Sequence, residues 1–426
     1  MEFYDIRQIM VDNFSITVEN GKVELLKVEK FKMKGFRVLK NGFWGIFTGN
    51  VPDDEGLKIA ERNAIGKGNS KILEYAEKGK FIFKQKKDPS DIPADEKISF
   101  LLEIDKILKD KFVTGTRIQY IENKRIFRYK DSFGTEVYYE LPRIGIIMQV
   151  FGKDETMQYL SKRILKPGGF EVLDKAFEHA EEIKLKLKDL LKARSPPSGK
   201  MNVIMDSTLA GVFIHEAFGH AVEADHVLQG TSILANKIGE KVASDEVTIF
   251  DDPTIPEFGF YPFDDEGVRA KRKVIVKNGV LESFLHSRET AAKMGGYPGN
   301  ARAEGVDVPL VRMSNTYLAE GDYSLDELLE IAKKGVFLVG SKGGETNPAT
   351  GYFQFSAQYG YVVENSEIKF MIKDVSVSGH TLEILKNAKV GKGLEFDPGF
   401  CGKSGQSVPV ADGAPPVLTV GFVGGK

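Results

Sequence analysis

The stretch Asp206-Ser207-Thr208-Leu209-Ala210-Gly211-Val212-Phe213-Ile214-His215-Glu216-Ala217-Phe218-Gly219-His220-Ala221-Val222-Glu223-Ala224-Asp225 is the one on which the reading of this chain turns. Two histidines, His215 and His220, stand on either side of Glu216 in a largely apolar setting. Metal-assisted hydrolysis needs two imidazoles on one ion and a carboxylate beside them to take a proton from water. The usual spacing is His-Glu-x-x-His, which puts both rings on one face of a helix, one turn apart. Here the second histidine lies one residue further on. Five residues of regular helix rotate by about 500°, leaving the rings roughly 140° apart and unable to share an ion. The spacing therefore predicts a π-bulge between the histidines, or a break at Gly219, that brings the rings back together. The bland alternative is a pair of ordinary surface or core histidines. With only six histidines in the chain, two of them around a glutamate are less easily assigned to it.

Outward from this segment the chain reads as α+β. Residues 1–195 form an N-terminal α/β domain with hairpins and a long helix, and residues 200–426 a β-rich domain carrying the metal-binding helix. Asn20-Gly21 and Asn41-Gly42 each sit between alternating runs, and Asn-Gly tolerates positive φ at both positions of a hairpin turn. Residues 55–78 read as a helix broken near Gly66, and 91–109 as another helix. Residues 117–151 read as a strand meander turning near Asn123 and at Asp131-Ser132-Phe133-Gly134. The clearest helix spans 172–194, where Leu173, Ala176, Phe177, Ala180, Ile183 and Leu187 recur at three and four. Ser195-Pro196-Pro197-Ser198-Gly199 cannot continue it and reads as the boundary. Beyond lie a short strand at 202–205, hairpins at Asn278-Gly279 and Asn365-Ser366, and a helix over 325–334.

The bulk numbers narrow the class. The formal net charge of −2 over 426 residues argues against a general binder of nucleic acid or membrane surfaces. One cysteine excludes an internal disulfide. The N-terminus shows no basic segment followed by an apolar run, and no stretch approaches the roughly 18 apolar residues of a membrane helix, so the expectation is a cytoplasmic protein.

Catalytic zinc takes three protein ligands and leaves a position for water. Three residues compete for the third place: His226, six residues after His220; Glu246, at a distance where some zinc proteases supply a glutamate; and Cys401, in Gly399-Phe400-Cys401-Gly402-Lys403-Ser404-Gly405-Gln406, where glycines allow close approach and Lys403 favours the thiolate. A buried, inert small residue is the commoner fate of a free cysteine. Arg302, Tyr297 and His286 are candidate oxyanion donors, with packing or surface roles the more ordinary reading of each. The pairs Asp251-Asp252 and Asp264-Asp265 read as turns in solvated loops rather than a calcium or magnesium site.

Residues 206–225 resemble the metal-binding segment of the TldD/PmbA family. Further matches follow in order: Phe263-Asp264-Asp265-Glu266-Gly267-Val268, Gly299-Asn300-Ala301-Arg302, Arg312-Met313-Ser314-Asn315-Thr316-Tyr317, Phe353-Gln354-Phe355, and Cys401-Gly402-Lys403-Ser404-Gly405-Gln406 with Val408-Pro409-Val410. Together they span nearly all of 200–420. Two departures, Gly343-Gly344-Glu345-Thr346-Asn347 and His380, bear on substrate preference. The resemblance implies a zinc-dependent peptidase with His215, His220 and Cys401 on the Zn2+ ion and Glu216 as general base. It implies a substrate that is an extended peptide or unfolded segment entering an enclosed channel. It also implies a dimer, either a homodimer or a heterodimer with a metal-less paralogue. Two other functions fit the same residues: a peptide-binding protein with a structural zinc, and an amidase acting on modified small peptides.

Overall fold

The computed structural model describes residues 2–425. Its first sheet is built on long antiparallel ribbons. β1 (Phe3–Glu19) and β2 (Lys22–Lys40) turn at Asn20-Gly21, with φ of 51° and 81°, and β2 turns into β3 (Phe43–Thr48) at Asn41-Gly42, with φ of 52° and 67°. These are the two left-handed residues that a tight hairpin requires. After helix α1 (Asp53–Asn63) and strand β4 (Lys78–Ile82) come α2 (Ala94–Leu108), β5 (Val113–Asp131), β6 (Glu136–Lys153), β7 (Met157–Pro167) and α3 (Ala176–Leu191). The sheet runs β3-β2-β1-β5-β6-β4, with β7 also on β6 and β4 parallel to its neighbour.

Two expectations for this half need correction. The expected helix over 55–78 ends at Asn63, and residues 64–77 are irregular. Their backbone pairs with other segments instead of with itself: Gly68 and Ser70 donate to Asn41 O and Gly42 O, and Leu73 to Arg288 O. The chain does not turn at Asn123 either. β5 passes straight through, because Asn123 sits opposite Asn13 in the ladder and its amide donates to the Asn13 side chain at 2.6 Å.

Helices α2 and α3 cover one face of the sheet, burying Leu101, Ile104, Ala180 and Leu187 against Ile118 and Ile146. Part of the sheet packs on the C-terminal half, where Phe260, Phe263 and Val306 meet Ile9, Phe127 and Tyr139. Ion pairs tie the halves: Arg37, itself held by Asp5, to Glu266 at 3.2 Å; Arg125 to Asp265 at 2.5 Å; and Arg288 to Asp131 at 2.6 Å.

Strand β8 (Gly199–Met205) opens the second half inside a nine-stranded sheet, between Val417–Gly425 (antiparallel) and Lys334–Val339 (parallel). A six-stranded sheet ends in the hairpin Glu395–Lys403 and Gln406–Ala414, the latter parallel to Asn315–Leu318. Between them helix α4 (Ser207–Phe213) starts at Asp206, whose carboxylate accepts from Leu209 N–H at 2.8 Å. Gly211 lets this helix lie directly on the backbone of Asp412: a Cβ there would meet its carbonyl oxygen at 2.7 Å. The segment from α4 to Val222 is buried in one core with side chains of both sheets, among them Val203, Leu338, Val408 and Val410.

Of the acidic pairs only Asp264-Asp265 stands at a turn; Asp251 ends the strand Ile249–Asp251 with Asp252 directly after it, and neither pair is solvated. Asp251 accepts from Ser314 N, Thr316 Oγ1 and Asn300 Nδ2, and Asp264 accepts from Glu266 N, Val268 N and Ala301 N; both are fully buried. Their oxygens are taken up by the protein's own donors.

Candidate metal centre

Past Phe213 the helix changes pitch. Residues Ile214–Phe218 are a π-turn in which Gly219 N–H reaches both His215 O and Ile214 O, and a 3-10 turn, Gly219–Val222, follows. The extra residue between the histidines is absorbed here, as the spacing requires. The two rings face each other with centroids 5.4 Å apart and planes at 90°.

Strand Glu395–Lys403 brings Cys401 to the same point. Its Sγ lies 3.5 Å from His220 Nε2, and one ligand atom from each of His215, His220 and Cys401 falls within 4.8 Å of the others. Cys401 sits opposite Val408 in its hairpin, and its carbonyl is held by the buried Arg312 guanidinium. All three residues are buried.

Each imidazole has a carboxylate behind it. His220 Nδ1 lies 3.0 Å from Glu223 Oε2, and His215 Nδ1 lies 2.7 Å from Asp412 Oδ1. Such partners fix the ring and raise the basicity of the opposite nitrogen, the pattern found behind metal-bound histidines. Both ring nitrogens of His215 are buried and neither makes a hydrogen bond in the protein, Nδ1 meeting Asp412 Oδ1 as a charge contact only. Burial pushes the Cys401 thiol up, but the neighbouring His215 and His220 outweigh it and lower the pKa to about 5. The thiolate is the form that binds metals. Two carboxylates and a thiolate around two imidazoles make a centre that calls for positive charge. The orphaned Nε2 and the N,N,S donor set fit a divalent cation such as zinc.

Glu216 lies on the bulge itself. Its Oε2 is 3.7 Å from His220 Nε2, and its side chain is 39% exposed, the most open group of the centre. It lines, with His215, a cavity of about 600 Å³ between the two halves, whose other walls include Gln149 of β6, Arg163 of β7 and Lys186 of α3.

The remaining candidates lie apart from this arrangement. Glu246 accepts from Lys389 Nζ at 2.8 Å and Val390 N at 3.0 Å. His226 groups with Glu223 and Asp225, its ring 6.5 Å from that of His220. Lys403 does not favour the thiolate directly. Its ammonium is taken by Glu223 at 2.9 Å, Asp225 at 2.8 Å and Val311 O at 3.1 Å. Arg302 is spent on Met313 O and Pro409 O, Tyr297 on Arg269 O, and His286 contacts Thr290 Oγ1. Sequence reasoning missed Glu223 and Asp412 as partners of the histidines. Glu223 carried a signal, three residues after His220 in a helical segment. Asp412 carried none, because only the packing of α4 on its strand brings it to His215.

Three family profiles match the chain in order: PmbA/TldA metallopeptidase domain 1 over residues 4–66, the central domain over 87–194 and the C-terminal domain over 198–424. A metalloprotease of Archaeoglobus fulgidus is 59% identical over 425 residues, covering all of both chains. A metalloprotease of Methanocaldococcus jannaschii is 40% identical, with 99% of this chain and 97% of the other aligned. A zinc metalloprotease TldD homolog of Saccharolobus solfataricus is 37% identical over 64% of this chain and 57% of its own length. Among solved structures, a Thermotoga maritima protein superposes with a TM-score of 0.86 at 25% identity over 99% of this chain and 96% of its own. TldE from Thermococcus kodakarensis shares the fold, with a TM-score of 0.79 at 18% identity over 100% of this chain and 97% of its own. From its first strand to its last, this chain belongs to the PmbA/TldD family of metallopeptidases.

Proposed function

We propose that the protein is a zinc-dependent peptidase in which His215, His220 and Cys401 hold the metal and Glu216 is the general base. The observation that carries this reading is the convergence of both histidines and the chain's one cysteine in the core, with Glu216 between them and the cavity. Zinc, when bound, supplies a Lewis acid that makes water a nucleophile at neutral pH and polarises a carbonyl. Glu216, beside a ligand and open to the cavity, takes the proton from the attacking water and returns it to the leaving amine. Glu223 and Asp412 hold the rings of His220 and His215 in orientation. Ordering of these groups by the core before substrate arrives spares their reorganisation during the reaction.

The cavity lies between the halves and is walled largely by strands, which suits an extended peptide or unfolded segment. We place the protein in the cytoplasm on its single, buried, unpaired cysteine; among the described residues no helix is long and apolar enough to cross a membrane. A structural zinc in a peptide carrier would have a fourth protein ligand, whereas three converge here among the described residues and the next group is Glu216.

The test is Glu216→Gln, assayed on short peptides, unfolded proteins and isopeptide-linked substrates beside elemental analysis of the metal. Hydrolysis should fall by roughly 10²- to 10⁴-fold with metal content unchanged. Normal cleavage by the variant would remove Glu216 from its role. Hydrolysis of isopeptides alone would make the protein an amidase.

A further inference from the structure

The first sheet and the C-terminal half enclose a second cavity, of about 550 Å³, which the proposed chemistry does not use. The hairpin Glu395–Lys403 and Gln406–Ala414 separates it from the metal cavity. Val408 and Pro409 line this cavity, Val410 and Asp412 the other, and Phe400 both. Phe400 is 52% exposed and packs edge-on against Phe258, with ring centroids 5.1 Å apart. Much of the wall is apolar, Phe14, Ile121, Phe258 and Phe263 included.

Three arginines, Arg125, Arg143 and Arg302, line the same space. Arg143 and Arg302 are buried and donate to uncharged carbonyl oxygens: Phe258 O and Phe260 O for the one, Met313 O and Pro409 O for the other. Further N–H groups remain on each fork. Arg125 pairs with Asp265 at 2.5 Å, and its Nε is buried without a hydrogen-bond partner. The carboxylates lining the cavity are engaged elsewhere. Asp265 also accepts from Ala303 N–H, Asp264 from the N–H groups of Glu266, Val268 and Ala301, and Glu122 lies 2.6 Å from Lys97. Glu29 lies 2.8 Å from Lys27, and the exposed Glu304 accepts from Ser407 N–H. Burial, and then the Glu266 charge, hold Asp264 well above the usual carboxylate range, which makes it a poor counter-ion. Burial, and then the Arg302 charge, lower the Arg143 pKa to about 9. Two buried guanidinium charges without a carboxylate are costly unless an anion joins them.

We propose that this cavity binds the free C-terminal carboxylate of a peptide ending in an apolar residue, with the carboxylate on Arg143 and Arg302 and the terminal side chain against Phe258 and Phe263. The guanidinium fork matches the two oxygens of a carboxylate. The aromatic wall suits an apolar body attached to that charge and gives a bare inorganic anion nothing to bury against. The place in the fold fits an anchor beside the metal centre. Cys401 stands opposite Val408 in the dividing hairpin, and Arg302 holds Pro409 O of the same hairpin at 2.6 Å. A peptide held by its end here passes Phe400 to enter the metal cavity. The binding stands by itself; its use in hydrolysis rests on the peptidase reading.

The experiment is calorimetric titration of the full-length, zinc-supplied protein carrying Glu216→Gln, so that the peptide stays intact. The ligands are an N-acetylated tripeptide ending in phenylalanine, the same peptide as its C-terminal amide, and 3-phenylpropionate. The acid should bind at least about tenfold more tightly than the amide. Adding Arg143→Met should abolish that difference. Because loss of a buried arginine can harm the fold, Leu25→Glu is the second variant: Leu25 lines the cavity, is 50% exposed, and as glutamate should weaken the acid and spare the amide. Circular dichroism checks both. Equal binding of acid and amide, or a preference that survives both variants and disappears when zinc is removed, would overturn the proposal. So would 3-phenylpropionate binding more tightly than the peptide acid, which would make the ligand a small acid and not a peptide end. The peptidase reading is judged separately, on hydrolysis by the wild type.

Discussion

Two groups of metal-ligand side chains lie next to one another in this molecule, His215–His220–Cys401 and Glu223–Asp225–His226. Residue type and proximity do not separate them. Charge does. In the second group the cation is already present: the Lys403 ammonium sits 2.9 Å from Glu223 and 2.8 Å from Asp225. In the first, two imidazoles and a thiolate converge. The groups are also joined, because Glu223 Oε2 contacts both Lys403 and His220 Nδ1. Glu223 lies fully buried with its pKa lowered to about 2: burial pushes it up, and the His220 and Lys403 charges with their hydrogen bonds outweigh that. The second group thus supports the first: a carboxylate kept ionised by a lysine holds His220, one of the proposed metal ligands.

The sharpest way to break this comparison is to remove one residue from each group. Cys401→Ala should lose most of the zinc that the wild type binds, while His226→Ala should keep it, measured by elemental analysis per chain. Retention by Cys401→Ala with loss by His226→Ala would put His226 in the coordination shell in place of Cys401, and retention by both would leave neither as a required ligand. A smaller effect is expected from taking away the internal cation. Lys403→Met leaves Glu223 and Asp225 without their counter-ion and should destabilise the fold by about 3 kcal/mol, read from the denaturant midpoint. No change would mean that the second group is solvated more freely than its burial indicates. Least affected is a histidine belonging to neither group. Burial, and then the Lys273 charge, lower the His286 pKa to about 4. A histidine held neutral in the fold contributes stability that is present above its unfolded value of about 6.5 and is lost as pH falls toward the folded one. Between pH 7 and 5 the wild type should lose about 1 to 2 kcal/mol more than His286→Gln. Parallel pH profiles for the two would show the buried ring is not held neutral.

Much of this was legible in the sequence because it is local. Asn-Gly pairs mark their own hairpins, since the turn needs positive φ at two successive residues and few others tolerate it. The five-residue spacing of His215 and His220 required a π-bulge or a break at Gly219 if both rings were to face one ion. What failed was also instructive. Residues 64–77 have helical composition but spend their backbone hydrogen bonds on the β2–β3 turn and on Arg288, partners no window of sequence contains. Asn123 looked like a turn residue and is a mid-strand amide facing Asn13. The aspartate pairs looked solvated and are fully or nearly buried, because backbone N–H groups from distant loops satisfy them.

The α+β class, the hairpins and the residues able to do chemistry follow from local φ/ψ preference and from spacing along one element, and the spacing of the histidines added a bulge or a break between them. Spacing alone left His226, Glu246 and Cys401 open as third ligand and the family resemblance pointed to Cys401; the packing brings Cys401 beside both histidines, supplies Asp412 and reassigns Lys403. The reason is physical. Proximity between strands and helices far apart in the chain is set by how their apolar faces pack, and the charge state of a buried group is set by what that packing leaves beside it.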